Sequence, residues 1–313
     1  MKDLYTTTID IYGTDIEHSL FSGQSFSWDY YKGKKRKYFG TIGDDLFIFE
    51  SIENTQLTTR TTRKFFQAED YVEFINHYLS IDIDNNLLFP EGFNRCYPDI
   101  WKLIQPYMGT KILRQDPFEV LITFMCAQGL GMKIIRRQIS YLAKKYGKRF
   151  TVEIDGEPFT YFSFPAPETL ADASPESLRL CTNNNCIRAK NIIGAASSVA
   201  SGQLDLESLK DPDMPLETAR EQLCAQPGIG YKIADCILLF GLHRFSAFPI
   251  DTHVRQYLAT WFSIDGALQS LTQKNYLFLQ DQISRVLNPD FAGFAGHILF
   301  HCWRKEVKHL NSY

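Results

Sequence analysis

The spacing of hydrophobic residues divides the chain into a strand-rich beginning and a helix-rich remainder. Residues 37–43 and 46–50 are rich in aromatic and β-branched residues and flank a turn-prone Gly-Asp-Asp sequence, which predicts a small antiparallel sheet. From about Pro117, apolar residues recur every three or four positions, which predicts helices. We therefore expect an α+β fold, mostly α, with an antiparallel-sheet domain over residues 1–108 and a helical domain over residues 109–313.

The composition is that of a folded protein without membrane spans. Hydrophobic residues make up 44% of the chain, and no apolar run approaches the roughly 20 residues needed to cross a bilayer. The first residues lack the apolar core of a signal peptide. Seven cysteines, an odd number scattered along the chain, do not form a secreted disulfide pattern. We expect an intracellular protein with reduced thiols and no membrane partner.

Charge is distributed unevenly, although the formal net charge is only −3. Between Gly109 and Phe150, nine basic residues accompany two acidic ones, Asp116 and Glu119. The basic residues are Lys111, Arg114, Lys133, Arg136, Arg137, Lys144, Lys145, Lys148 and Arg149. Such a segment could bind a nucleic-acid phosphate backbone, and it could equally form a solvent-exposed helix face that keeps the protein soluble. Charge alone leaves both interpretations open.

A helix, a tight turn and a second helix are predicted within residues 216–242. Residues 216–225 and 231–240 have helical spacing, and Gln-Pro-Gly-Ile-Gly lies between them. Pro227 ends the first helix, while Gly228 and Gly230 permit positive φ angles and leave the outside of the turn without side chains. Backbone N–H groups there, at the positive end of a helix dipole, suit phosphate binding, although many glycine turns serve packing alone.

The residues around and after this hairpin make its interpretation more specific. Lys232 and Asp235 follow the two glycines, and after a loop comes Phe-Pro-Ile-Asp-Thr-His-Val, residues 248–254. Both halves, in this order and at this spacing, resemble the helix-hairpin-helix, Gly/Pro…Asp (HhH-GPD) motif of DNA glycosylases. The resemblance implies a catalytic loop at residues 243–254, with Lys232 as the amine nucleophile and Asp251 as its acidic partner.

Chain geometry allows Lys232 and Asp251 to meet. Lys232 begins a helix of about twelve residues, which is roughly 18 Å long. The following loop spans up to roughly 27 Å when extended, so it can return to the helix start. Asp251 would then cap the helix that begins at Thr252. Beside a sugar carbon that becomes cationic, a carboxylate stabilises the charge while an amine attacks, and the resulting Schiff base permits β-elimination.

A wider resemblance is to the 8-oxoguanine DNA glycosylases, in which a TBP-like antiparallel sheet domain precedes the helical HhH-GPD domain. Residues 21–28, Phe-Ser-Gly-Gln-Ser-Phe-Ser-Trp, are similar to that family's Ser-Gly-Gln-Ser-Phe-x-Trp segment. The resemblance implies that the Gly23 carbonyl accepts the extra proton on N7 of the oxidised base. It also implies that Cys236 and Phe300 hold the flipped base between them, although both are ordinary core residues as well.

The same resemblance implies the DNA contacts and the cofactors. His253 matches a residue that contacts a phosphate, and Arg188 matches an arginine that reads the orphaned cytosine. The family's hairpin often holds a monovalent cation through backbone carbonyls, which here are those of Cys224, Gln226 and Ile229. We expect no cofactor and no iron–sulfur cluster, because only one cysteine, at position 302, follows the catalytic loop.

Two departures from the family pattern bear on the substrate. Gly296 stands where the family places a glutamine against the Watson–Crick edge of the base, so we expect a wider or differently wired pocket, with the adjacent His297 pointing elsewhere. The asparagine run that fills the gap left by the flipped base is missing from residues 124–132. Gln128 is our candidate filler, because its Cys-Ala-Gln context is similar to the Ser-Ala-Gln of endonuclease III relatives.

These features together predict a monomeric base-excision DNA glycosylase with abasic-site lyase activity. Its partner would be damaged double-stranded DNA, from which it flips and removes an oxidised purine, 8-oxoguanine first. One alternative is an alkylated-purine glycosylase of the 3-methyladenine type, since Gly296 offers no polar group, although such enzymes usually dispense with the lysine. The other is a non-catalytic DNA-binding hairpin module, which leaves Lys232 and Asp251 unexplained.

Overall fold

A computed structural model describes residues 4–52 and 55–310. Residues 1–3 and 53–54 of the predicted sheet domain lie outside this part of the chain, as do residues 311–313 of the predicted helical domain. The strands are β1 (Tyr5–Asp10), β2 (Asp29–Tyr30), β3 (Lys37–Ile42), β4 (Asp45–Ile52), β5 (Gln56–Thr61), β6 (Arg149–Ile154) and β7 (Glu157–Phe162). The α-helices are α1 (Ile16–Phe21), α2 (Ala68–Tyr78), α3 (Phe93–Cys96), α4 (Pro98–Ile104), α5 (Pro117–Cys126), α6 (Met132–Tyr146), α7 (Pro167–Ala171), α8 (Pro175–Leu178), α9 (Cys186–Ala200), α10 (Leu216–Cys224), α11 (Tyr231–Phe240), α12 (Thr252–Phe262), α13 (Gln273–Ser284) and α14 (Ala292–Cys302).

The first five strands form an antiparallel sheet in the order β1-β5-β4-β3-β2. This confirms the predicted hairpin, in which β3 and β4 flank a two-residue turn and Gly43 takes a φ of +64°. Side chains of β4 alternate across the sheet, with Phe47 and Phe49 on one face and Leu46 and Ile48 on the other. Because both faces of the sheet are apolar, each must pack against another element of the fold to be buried.

Two different elements cover the sheet. The Phe47 face packs with residues of α1 and α2, such as Leu20 and Ile75, in one buried cluster. The Ile48 face packs against a second hairpin, β6–β7, through Ile154 and Tyr161. The sequence pattern does not predict this hairpin, which interrupts the helical part between α6 and α7.

Ion pairs hold the β6–β7 hairpin on the sheet. Lys148, just before β6, lies 2.7 Å from Asp44, and Arg60 of β5 lies 3.0 Å from Asp155 in the β6–β7 turn. The hairpin thus belongs to the predicted second domain by sequence and packs on the sheet of the first. The division at residues 108 and 109 stays a prediction.

The centre of the helical part consists of α5, α11 and α14. All ten residues of α5 are buried, and so are eight of the ten in α11. A helix that is apolar on every side belongs in the interior, which explains why these three lie in one large cluster. The predicted helix pair at 216–225 and 231–240 is confirmed as α10 and α11. In the described part of the chain, no helix has the length and apolarity needed to cross a membrane.

Candidate active site

The hairpin between α10 and α11 has the predicted glycine turn, with one difference. Gly228 takes a φ of +86°, which favours glycine, and a Cβ atom there would lie 2.5 Å from the Asn191 amide, which would have to shift. Gly230 instead has extended backbone, φ −103° and ψ 176°, and is the N-cap of α11. The predicted positive φ is therefore right at Gly228 and wrong at Gly230. A Cβ atom at Gly230 would meet nothing within 4 Å, so this side of the turn is open.

Lys232 lies in the first turn of α11 and borders a pocket in the helical part. Its Nζ atom lies 5.3 Å from the centre of the Phe124 ring. Cys236, one turn later, borders the same pocket. Burial raises the pKa of the Cys236 thiol to about 11, and the neighbouring Lys232 ammonium opposes that rise. Cys236 is therefore a neutral wall of the pocket rather than a thiolate.

Asp251 is the N-cap of α12, as predicted. Its Oδ1 atom accepts a hydrogen bond from the Val254 backbone N–H at 2.9 Å. Asp251 and Lys232 border the same pocket, so the fold brings the two predicted catalytic residues together. Their charged atoms are not within 4.0 Å of one another, since no such ion pair joins these two described residues. The arrangement leaves room between amine and carboxylate for a reacting atom.

The pocket encloses about 490 Å³ of empty space, part of it open to solvent. Besides Lys232 and Asp251, the three predicted base-contact residues, Gly23, Cys236 and Phe300, all border it. The structure thus brings all five residues to one cavity.

Gly23 has a φ of +100°, which other residues rarely adopt. A Cβ atom on Gly23 would overlap the methyl group of Met132 and come within 3.9 Å of the Phe300 ring. The sulfur atom of Met132 accepts a hydrogen bond from Arg304 at 2.9 Å. Gly23 therefore sits in close contact with the first residue of α6, and the absence of a side chain is what permits that contact.

The floor of the pocket differs from the expectation of a wider cavity. A Cβ atom on Gly296 would overlap the Phe248 ring, so an aromatic ring occupies the space beside this glycine. His297 borders the pocket rather than pointing elsewhere, and its Nε2 atom lies 2.7 Å from the Ser22 hydroxyl. Burial lowers the pKa of His297 to about 3, so the ring is neutral. Of the two expected alternatives, the Phe248 ring excludes a wider pocket beside Gly296, and an aromatic ring and a neutral histidine stand there instead.

A broad groove leads into the pocket. It is lined by residues 127–135, 230–233 and 251–253, together with Phe300 and Arg304, and it has about 2550 Å³ of open space. It shares Gly23, Lys232, Asp251 and Phe300 with the pocket. The groove therefore joins the hairpin, the pocket and the loop between α5 and α6, residues 127–131, in one continuous surface. We call this segment the Gln128 loop.

The predicted DNA contacts His253 and Gln128 both line this groove. The His253 ring lies 6.0 Å from that of Phe300, measured between centres. Burial lowers the pKa of His253, and the Asp251 carboxylate opposes that change. Gln128 donates a hydrogen bond from its amide to the Gly228 carbonyl at 2.7 Å, so it ties its loop to the hairpin.

Arg188 stabilises the Gln128 loop through hydrogen bonds to backbone carbonyls. Its guanidinium donates to the carbonyls of Cys126, at 3.2 Å, and Gln128, at 2.8 Å. Arg188 is thus placed next to the candidate gap-filling residue, with part of its donor capacity committed to the backbone.

A buried polar network that the sequence analysis missed connects the lysine helix to the aspartate loop. Asp235 of α11 pairs with Arg220 of α10 at 2.8 Å and accepts a hydrogen bond from the Tyr276 hydroxyl at 2.6 Å. The same hydroxyl accepts a hydrogen bond from the Ile250 backbone N–H at 3.1 Å, next to Asp251. An aspartate within the apolar run of α11 is the signal that would have revealed it, because a buried charge needs partners.

Comparisons with known proteins agree with this geometry. A family model described as 8-oxoguanine DNA glycosylase, N-terminal domain, matches residues 8–121. An N-glycosylase/DNA lyase of Saccharomyces cerevisiae is 34% identical over 285 residues, which cover 86% of this chain and 74% of that protein. An N-glycosylase/DNA lyase of Arabidopsis thaliana is 29% identical over 283 residues, covering 89% and 74%. The fold is similar to that of a Clostridium acetobutylicum 8-oxoguanine glycosylase/lyase solved with double-stranded DNA, with a TM-score of 0.77, 22% identity and coverage of 97% and 99%.

Proposed function

The chain belongs to the 8-oxoguanine DNA glycosylase family of N-glycosylase/DNA lyases, and we propose that it removes 8-oxoguanine from duplex DNA and then cuts the strand at the abasic site. One observation carries this proposal. Lys232 and Asp251 border a single pocket that adjoins a groove lined by the hairpin. The groove would hold the DNA and the pocket would hold the extruded base.

The chemistry follows from where the two side chains lie. The Lys232 nitrogen, in its neutral form, attacks C1′ of the extruded nucleotide, and the bond from C1′ to the base breaks with its electron pair leaving on the base. Asp251 stabilises the positive charge that develops on the sugar. Its cap hydrogen bond to Val254 holds the carboxylate at the helix start. The base leaves after taking up a proton.

Strand cleavage is the second half of the reaction. The C1′–nitrogen adduct opens to a Schiff base, in which the positive nitrogen acidifies the C2′ proton. Removal of that proton expels the 3′ phosphate by β-elimination, so one strand is nicked while Lys232 remains covalently attached until hydrolysis. No step needs an oxidant, reductant or cofactor.

We propose that Cys236 and Phe300 contact the two faces of the base and that the Gly23 carbonyl accepts its N7 proton. Gly23 supports this role because its positive φ turns the peptide in a way that few other residues allow. At the floor, Phe248 takes the place of a hydrogen-bonding side chain. Recognition would therefore depend on the N7 side and on shape rather than on an amide at the Watson–Crick edge.

We propose that the hairpin glycines Gly228 and Gly230 bring backbone N–H groups to a phosphate, and that His253 contacts another. Gln128, supported by Arg188, would fill the gap left by the extruded nucleotide. Such backbone contacts give a steep dependence of binding on salt.

A monovalent cation at the carbonyls of Cys224, Gln226 and Ile229 is also part of this proposal. Carbonyl oxygens are suitable ligands, and the Gln226 carbonyl, which accepts from the Ile229 N–H at 3.1 Å, retains a second lone pair. A cation there would attract the same phosphate as the hairpin. Among the described residues, no group of three or more His, Cys, Asp or Glu side chains is placed to hold a metal ion.

Strand nicking on duplexes with 8-oxoguanine opposite each of the four bases tests the function. We expect release of the base and a nick on at least the duplex with cytosine. If those duplexes stay intact while an abasic-site duplex is nicked, the chemistry stands and the lesion assignment is wrong. Release of 3-methyladenine by the same protein would then identify an alkylated-purine glycosylase.

A further inference from the structure

Arg304 is a buried arginine at the edge of the active-site groove. It lies in the π-helical turn Trp303–Val307 that continues α14, and only 7% of its surface is exposed. It nevertheless lines the groove that leads to Lys232 and Asp251. Its guanidinium lies 5.6 Å from the centre of the Phe300 ring. A buried charge at such a position calls for a partner.

The partners of Arg304 within the protein are weak. One Nη1–H group donates to the thioether sulfur of Met132, which is a poor acceptor. No carboxylate of the described residues lies within 4.0 Å of this guanidinium. The buried Arg220 is a useful contrast, because it pairs with both Asp235 and Glu217. The Asp251 carboxylate, more than 4.0 Å away, interacts with the Arg304 charge without pairing directly with the guanidinium, so Arg304 retains N–H donors for a ligand in the groove.

We propose that Arg304 binds a DNA phosphate that flanks the extruded nucleotide. A planar guanidinium with free N–H groups suits a phosphate, which can accept two parallel hydrogen bonds. The site lies at the mouth of the pocket, because Arg304 and His253 lie 5.6 and 6.0 Å from the centre of the Phe300 ring, which borders both the pocket and the groove. This inference rests on the proposed function, since only an extruded nucleotide brings its phosphates here.

The contact with Met132 gives the phosphate a second effect. Arg304 donates a hydrogen bond to the Met132 sulfur, and the Met132 methyl group lies against Gly23. A phosphate is a much stronger acceptor than a thioether, so the Arg304 guanidinium would give up the Met132 sulfur and bind the phosphate instead. Met132 would then be free to move away from Gly23, whose carbonyl is the proposed acceptor of the N7 proton. Phosphate capture and access to Gly23 are thereby linked.

Binding to duplexes with a tetrahydrofuran abasic analogue tests the assignment, because this nucleotide cannot be cleaved. Each flanking phosphate is replaced in turn by an uncharged methylphosphonate, and a third duplex carries the replacement several nucleotides away. We expect Arg304→Gln to weaken binding to the unmodified duplex roughly tenfold, the value of a hydrogen-bonded charge contact. On one flanking methylphosphonate duplex, wild type and variant should bind equally.

Two controls accompany this comparison. Arg285→Gln removes an exposed arginine that pairs with Asp281 and lies outside the groove, and it should bind like wild type. Arg304→Lys keeps the positive charge but loses the planar guanidinium with its two parallel donors. Its affinity for the unmodified duplex should therefore lie between those of wild type and Arg304→Gln. It also provides the test if the glutamine variant does not fold.

Equal binding by wild type and both Arg304 variants would overturn the inference. So would a loss of the same size on every methylphosphonate duplex, which would indicate a general structural role. A wild-type protein that does not prefer the tetrahydrofuran duplex to undamaged DNA would instead contradict the proposed function, and this inference with it.

Discussion

Phe248 and Gly296 meet at the floor of the pocket, where the aromatic ring fills the space that any side chain at position 296 would need. Phe248 precedes Asp251 on the catalytic loop, and Gly296 lies in the middle of α14. The pair therefore couples the shape of the pocket floor to the loop that carries the carboxylate. A larger residue at position 296 would therefore require the Phe248 ring to move or to be replaced by a smaller side chain.

Gly296→Ala should destabilise the protein. A helical Gly→Ala change ordinarily stabilises by up to about 1 kcal/mol, whereas forcing a methyl group into the Phe248 ring costs about 1–3 kcal/mol. Urea unfolding measures the difference. Combining Gly296→Ala with Phe248→Val should recover part of the loss, because neighbouring changes that relieve one overlap are not additive.

Gly194→Ala is the matched control for this prediction. Gly194 lies in α9, and a Cβ atom there would meet nothing within 4 Å, so this variant should be as stable as wild type or more so. Stabilisation by Gly296→Ala equal to that of Gly194→Ala would show that the ring does not occupy the space.

Glu119 should make stability depend on pH. It is buried in α5, the helix that carries Phe124 to the pocket, and burial, together with the Asp116 carboxylate, raises its pKa from 4.5 to about 8. The folded protein therefore holds this proton up to a higher pH than the unfolded chain does. The resulting stability is complete below pH 4.5 and is lost as the pH rises towards 8, by at most about 1.4 kcal/mol per pH unit.

Glu119→Gln should remove that dependence, because glutamine does not titrate. Urea unfolding at pH 5, 7 and 9 should show wild type losing stability relative to the variant as the pH rises. Glu91→Gln, at an exposed glutamate, should follow wild type at each pH. Parallel curves for wild type and Glu119→Gln would contradict a proton held on Glu119.

The Arg188 contacts should matter for the choice of opposite base. Arg188→Ala frees the carbonyls of Cys126 and Gln128, so the loop that presents Gln128 loses its support. We expect excision of 8-oxoguanine to fall several-fold and the rates opposite the four bases to converge. Lys190→Ala, an exposed change in the same helix, should leave both properties intact. Unchanged base discrimination in Arg188→Ala would contradict a role for this loop.

The proposed roles of Lys232 and Asp251 come from the family resemblance, whereas their positions at the starts of two helices could be predicted from local rules. Asp251 precedes a helix and is a good N-cap, and Lys232 begins the helix after a glycine turn. Both properties follow from neighbouring residues. The helix bounds of α10 and α11 were predictable for the same reason.

Features that depend on distant contacts were not predictable. The ring of Phe248 at Gly296 and the hydrogen bond from Gln128 to Gly228 are set by packing between separate elements. The β6–β7 hairpin is stabilised by the sheet that it covers rather than by a local pattern. Arg304 has no distinctive sequence context, and only its burial beside the groove draws attention to it.

The central claim is that Lys232 forms a covalent bond to the sugar. Borohydride reduction during reaction with an 8-oxoguanine duplex measures it directly, because it converts a Schiff base into a permanent protein–DNA adduct. We predict an adduct with wild type and none with Lys232→Gln, which should still bind an abasic-analogue duplex. An adduct of equal yield with Lys232→Gln, or base release by wild type without any adduct, would contradict the account.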